Sequence, residues 1–102
     1  MAEIVWTEPA LSDLEAIADH IALDKPVTAQ VLVARVFEHV AQLAEFPESG
    51  TRPRELPGSR YRQLVEPPCR IFYRIAGARV VILHVIRSER RLRRSKLRRT
   101  KP

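Results

Sequence analysis

Cys69-Arg70-Ile71-Phe72-Tyr73-Arg74-Ile75-Ala76-Gly77-Ala78-Arg79-Val80-Val81-Ile82-Leu83-His84-Val85-Ile86 is the stretch that decides the fold. In its first half Ile71, Tyr73 and Ile75 alternate with Arg70, Phe72 and Arg74, the period of two of a β-strand. Ala76-Gly77-Ala78 is a tight-turn signal. Val80 to Ile86 is apolar except for His84, so this strand is expected to be covered on both faces and to lie near the middle of a sheet. Upstream, Tyr61 to Val65 is a short strand candidate, separated from Cys69 by Glu66-Pro67-Pro68. Glu3-Ile4-Val5-Trp6 is a fourth.

Between the first strand and the other three lie two helical patterns. Thr7 precedes Glu8-Pro9-Ala10: a hydroxyl N-cap, an acid in the first turn and an early proline. Leu11, Leu14, Ile17 and Ile21 then recur at helical spacing, with Asp13, Glu15 and Asp19 between them. Leu23-Asp24-Lys25-Pro26 breaks that helix, and Pro26 suits the first position of the next. The second helix carries Ala29, Leu32, Val33, Val36, Phe37, Val40 and Leu43. It stops before Phe46-Pro47-Glu48-Ser49-Gly50. The short turn between the helices predicts an antiparallel hairpin. Residues 51–59 read as a loop. The order is β-α-α-β-β-β, an α+β domain with a helical hairpin packed on a small, mainly antiparallel sheet.

The chain has 102 residues and a mass of 11.7 kDa, the size of one domain. The domain is expected to span 1–102, with 86–102 as a basic tail. Its charge is split by position. Residues 1–50 set nine carboxylates against Lys25 and Arg35, a net charge of −7. Residues 51–102 set sixteen lysines and arginines against three glutamates, a net charge of +13. Arg87 to Lys101 alone holds nine cations and one acid. Such a field calls for a polyanionic partner: nucleic acid, an acidic protein segment or an anionic membrane. The acidic polar faces of the helices argue against the membrane. The start of the chain lacks a signal-peptide profile, and no apolar run approaches the ~20 residues of a membrane span, so a cytoplasmic location is expected. The tail from Arg87 has the composition of a short helix, frayed by mutual repulsion unless a partner binds.

The single cysteine, Cys69, excludes an internal disulfide and a cysteine-based zinc site, and reads as a small strand hydrophobe. His20 and His39 flank the apolar stripes of the helices. His84 reads as a hydrogen-bonded core or edge residue. No histidine pair has metal-ligand spacing, no serine lies in a nucleophile motif and no phosphate-binding glycine loop is present, so neither metal nor cofactor is expected. What remains is arginine: Arg60, Arg62, Arg70, Arg74, Arg87 and Arg90 fall on or beside the sheet. Strand alternation predicts that Arg62, Arg70 and Arg74 face a partner. Guanidinium groups bind phosphates and carboxylates as two-pronged forks.

The chain resembles the RelE/ParE superfamily, the toxin subunits of bacterial type II toxin–antitoxin systems. The resemblance is carried by Trp6-Thr7 with Ala10, Asp13-Leu14 with Ile17 and Ile21-Ala22, Pro26 with Ala29, and Leu43 with Phe46-Pro47-Glu48-Ser49-Gly50. It continues through Leu56-Pro57-Gly58-Ser59-Arg60-Tyr61-Arg62, Cys69 to Arg74 and Val81 to Ile86. It implies a growth-inhibiting toxin neutralised by a cognate antitoxin, which alone contacts the operator DNA. The target is DNA gyrase in the ParE-like branch, and mRNA in the ribosomal A site in the RelE-like endonuclease branch. For the endonuclease, the resemblance points to Arg60, Arg70, Arg87 and Arg90 as the catalytic set. Target or antitoxin binding falls to Arg62, Arg74, Arg87, Arg90, Arg91 and Arg94. Arginine stays protonated and is a poor base, so a proton-transfer residue is not evident. That gap and the long hairpin, residues 8–45, favour the ParE-like branch.

Overall fold

The computed structural model describes residues 1–88. Arg90, Arg91, Arg94 and the expected tail helix lie outside the described residues. The elements are β1 (Glu3–Trp6), α1 (Glu8–Ala22), α2 (Pro26–Ala41), a 3₁₀ turn (Gln42–Ala44), β2 (Arg62–Glu66), β3 (Cys69–Ala76) and β4 (Arg79–Arg87). The α+β order is the one expected from the sequence. The sheet runs β1-β4-β3-β2. β1 is parallel to β4, and the other pairs are antiparallel. The sheet is therefore mixed, and β4 lies inside it, between strands from opposite ends of the chain.

Thr7 joins the first strand to the first helix. Its hydroxyl accepts from the Ala10 amide at 3.3 Å, which caps α1, and donates to the Ile82 carbonyl at 2.7 Å, which fixes the cap to β4. Such a cap contributes about 1 kcal/mol. Pro9 and Pro26 each stand in the first turn of their helix, where a missing N–H costs nothing. α1 buries Ala10 and Leu14, and α2 buries Ala29, Leu32, Val36 and Val40, with Leu43 following in the 3₁₀ turn. They meet Leu64, Cys69, Ile71, Tyr73, Val80, Ile82 and Val85 in one layer between hairpin and sheet.

Two stripe residues depart from expectation. Leu11 is 43 % exposed and Phe37 41 % exposed, because the hairpin covers the sheet with a narrower face than its apolar spacing suggests. Phe37 instead packs its ring against Trp6, with centroids 4.8 Å apart.

The other face of the sheet has its own small core. Leu56, Phe72, Val81, Leu83 and Ile86 form it, with Tyr61 and Ala76 alongside. Phe72 therefore alternates correctly out of the helix layer but is fully buried all the same. The register of β3 and β4 slips between Phe72 and Tyr73, which face His84 and Ile82. Leu83 is the extra residue of a β-bulge.

Candidate functional site

The outer face of the sheet is where the basic half of the sequence gathers. Arg70 and Arg74 project from β3 on the side of Phe72, and the loop 52–60 lies over them through Leu56. Arg70 is held in place. Its Nη1 and Nη2 donate to the two carboxylate oxygens of Glu55 at 2.8 Å each, and its Nε donates to Gln63 Oε1 at 2.9 Å. The guanidinium also lies over the Phe72 ring, 4.9 Å from its centroid. The Arg70 and Glu55 side chains are 13 % and 12 % exposed, so this ion pair is largely withdrawn from water. Arg54 and Arg60 are exposed on the loop and Arg74 is half-buried, none with a carboxylate partner among the described residues. Arg52 bonds the Ser59 carbonyl and closes the loop on itself.

Arg62 is not on that face. It pairs across the strands with Tyr73, and residues opposite each other in a sheet share a face. The reason lies in β2 itself, where Leu64 is the buried position, so Arg62 and Glu66 point with it towards the helices. Arg62 Nη1 donates to the carbonyls of Gly50 at 2.9 Å and Glu48 at 3.2 Å. It thus fastens the turn after α2.

Tyr73 holds the same turn from below. Its hydroxyl donates to the Pro47 carbonyl at 2.8 Å and accepts from the Gly50 amide at 2.9 Å. Burial pushes the phenol above its ordinary pKa, against the opposing pull of the Gly50 hydrogen bond and Arg62. Gly50 is required by this approach: a Cβ there would meet the Tyr73 hydroxyl at 2.4 Å and the Gln63 carbonyl at 2.7 Å.

His20 and His39 lie on the helices, whereas His84 stands opposite Phe72 in β4. His84 is buried in β4 with Nδ1 2.9 Å from Asp13 Oδ2 on α1. The same oxygen accepts the Val85 amide at 3.1 Å. β1 ends opposite Ile82, and Asp13 takes up a backbone donor of β4 beyond that point. Asp13 was expected on the solvated side of α1. It reaches β4 because it lies three residues after Ala10 and next to Leu14, the buried positions of α1. His39 Nδ1 lies 3.2 Å from Glu66 Oε1, linking α2 to β2 without hydrogen-bond alignment. A cleft of about 300 Å³ beside α1 is lined by Asp13, Ala16, Ile17, His20, Val85, Ile86 and Arg87. No group of three or more His, Cys, Asp or Glu side chains suited to a metal ion occurs among the described residues. None of their helices is long and apolar enough to cross a membrane.

A helical hairpin on one face of a four-stranded sheet, with arginines gathered on the other, defines a small α+β toxin of the kind the sequence resembles. The chain matches the family of the ParE toxin of type II toxin-antitoxin system, parDE, over residues 4–92, and it belongs to that family. It is 39 % identical over 88 residues to Toxin RelE2 of Caulobacter vibrioides, covering 85 % of this chain and 92 % of that one. It is also similar to a chain of the chromosomal ParDE TA system from P. aeruginosa. There the TM-score is 0.74 and the identity 33 %, over 87 % of this chain and 98 % of the other. The protein is thus a toxin of the type II toxin–antitoxin class, and an antitoxin is its partner.

Proposed function

We propose that this toxin arrests growth by binding DNA gyrase, as one domain over residues 1–102, acting in the cytoplasm and released when its antitoxin is removed. The observation that carries the proposal is where the protonatable side chains are engaged. His84 is buried with its Nδ1 held 2.9 Å from Asp13 Oδ2, Tyr73 is bonded between Pro47 and Gly50, and Glu55 is paired with Arg70. The arginine face is built to bind an anion, whereas RNA cleavage by 2′-hydroxyl attack needs a base and an acid beside the phosphate. In this proposal Arg74 on the outer face, Arg87 at the cleft beside α1, and Arg90, Arg91 and Arg94 of the basic tail meet the target or the antitoxin, and Arg62 supports the turn after α2. Operator DNA is reached only through the antitoxin.

The relative named Toxin RelE2 supports one second reading, a ribosome-dependent mRNA endonuclease with Arg60, Arg70, Arg87 and Arg90 around the scissile phosphate. Titrating purified gyrase with the protein separates the two. Supercoiling should stop near stoichiometric toxin while mRNA in a reconstituted translation reaction stays intact. Unchanged supercoiling at excess toxin, with cleaved transcripts, would transfer the function to the second reading.

A further inference from the structure

Glu55 and Leu56 sit on the outer face of the sheet in the way a bound peptide would. The carboxylate occupies the Arg70 fork through two hydrogen bonds of 2.8 Å. The next side chain, Leu56, is 2 % exposed and fills the space above Phe72, Val81, Leu83 and Ile86. An anion fork beside an apolar hollow recognises an acidic residue followed by a branched aliphatic one.

Among the described residues, the loop that delivers this pair makes no backbone hydrogen bond to the sheet between 52 and 60. The backbone hydrogen bonds within residues 52–60 stay inside the loop, from Leu56 to the Pro53 carbonyl and from Ser59 to the Leu56 carbonyl. Backbone pairing to the sheet occurs at the base, where Thr51 bridges Gln63. Gly58, with φ at +75°, turns the chain back towards β2. Among the described residues, the middle of the loop is held down by Glu55 and Leu56 with Pro53 buried beside them, and the Glu55 and Leu56 contacts are of a kind another chain can supply.

We infer that the outer face of the sheet is a docking site for an acidic–aliphatic segment of the antitoxin, and that Glu55-Leu56 fills it in the free toxin as an exchangeable internal ligand. Charge complementarity argues for this occupant. Arg70 and Arg74 lie on the face and Arg52, Arg54 and Arg60 ring the loop, so an incoming carboxylate meets an excess of guanidinium groups. Exchange also explains why the hollow is not left open: apolar side chains of β3 and β4 stay covered whether or not the antitoxin is bound. The inference rests on the toxin–antitoxin pairing and not on gyrase as target.

An internal ligand lowers the apparent affinity for its competitor by the fraction of molecules in which the site is filled. Titration of the full-length toxin with its purified antitoxin therefore gives a test with opposite signs. Glu55→Gln should bind antitoxin more tightly, by on the order of tenfold for a site that is about nine-tenths filled. Leu56→Ala should do the same, whereas Arg70→Gln should bind less tightly. All three variants lose thermal stability, so a loop with a merely structural role moves the affinities together or leaves them unchanged. Hydrogen exchange on the wild-type pair is the second measurement and needs no variant. On binding antitoxin, the Leu56 and Ser59 amides should exchange faster while those of β3 slow. Slower exchange at Leu56 and Ser59, or an unchanged or weakened affinity in Glu55→Gln, overturns the exchange and leaves the toxin–antitoxin pairing intact. A wild-type toxin that forms no complex at all overturns both.

Discussion

The two faces of the sheet are made by the same strands and closed in different ways. On the inner face, two helices and a 3₁₀ turn lay Leu14, Leu32, Val36, Val40 and Leu43 over Ile71, Tyr73 and Val80. Helices satisfy most of their own backbone, so this lid is laid down chiefly by apolar side chains, with Asp13 and His39 as its polar contacts to the sheet. On the outer face, one loop lays a single leucine over Phe72 and its neighbours and an ion pair over Arg70. The inner lid is the foundation of the fold. The outer one is a few contacts deep, and its central contact costs desolvation of two charges as well as stabilising them. Among the described residues, the inner face is closed by regular structure and the outer one by a loop with no backbone hydrogen bond to the sheet between 52 and 60, which is the basis of the proposed exchange.

That contrast can be tested from its strongest point downwards. Leu43→Ala, at a fully buried inner position, should cost about 2–5 kcal/mol in urea unfolding. A cost below about 1 kcal/mol would make the inner lid no firmer than the outer. Arg70→Gln leaves the Glu55 carboxylate partly buried without its fork. It should cost about 1–3 kcal/mol, less than the ~3–5 kcal/mol of a fully enclosed pair, because both side chains retain some solvent contact. Tyr73→Phe removes two hydrogen bonds from the turn after α2 and should cost about 1–2 kcal/mol at neutral pH. Its pH dependence has a definite sign. The native phenol is raised above its unfolded value, so its contribution is complete below about pH 10 and is lost as pH climbs through the native value. The wild type should therefore destabilise on the alkaline side more steeply than Tyr73→Phe; equal slopes would contradict the buried phenol. Least is expected of Arg79→Ala. Its Nε lies 3.1 Å from Glu3 Oε1, with both side chains more than 60 % exposed, and thermal unfolding should move by less than about 0.5 kcal/mol.

The parts of the fold that were legible in the sequence rest on local rules. Thr7 with Pro9, Pro26 after the break, and the alternation of Ile71, Tyr73 and Ile75 each act within a few residues, and the structure has a helix start or a strand at every one. Arg62 was misassigned to the outer face because β2 is short and both Leu64 and Val65 are apolar, so the strand alone does not say which is buried. Its partner Tyr73 decides the matter, and pairing is not written in either strand by itself. The Asp13–His84 contact spans 71 residues and depends on the bulge at Leu83. No spacing rule reaches that far. Glu55 stood in a proline-rich loop among arginines and carried no signal. The clue available was its rarity, since it is one of three acids in the basic half.

β4 was described as the strand between β1 and β3, and its place has a consequence for how the toxin is made. Among the described residues, β1 has β4 as its neighbour in the sheet. A nascent chain that has not yet reached Val80 has no partner for Glu3–Trp6, no Ile82 carbonyl to receive Thr7, and two unfinished cores, since Val80, Ile82 and Val85 belong to one and Val81, Leu83 and Ile86 to the other. A product that stops short of Val80 is therefore expected not to fold, so toxicity should begin only once β4 has been made.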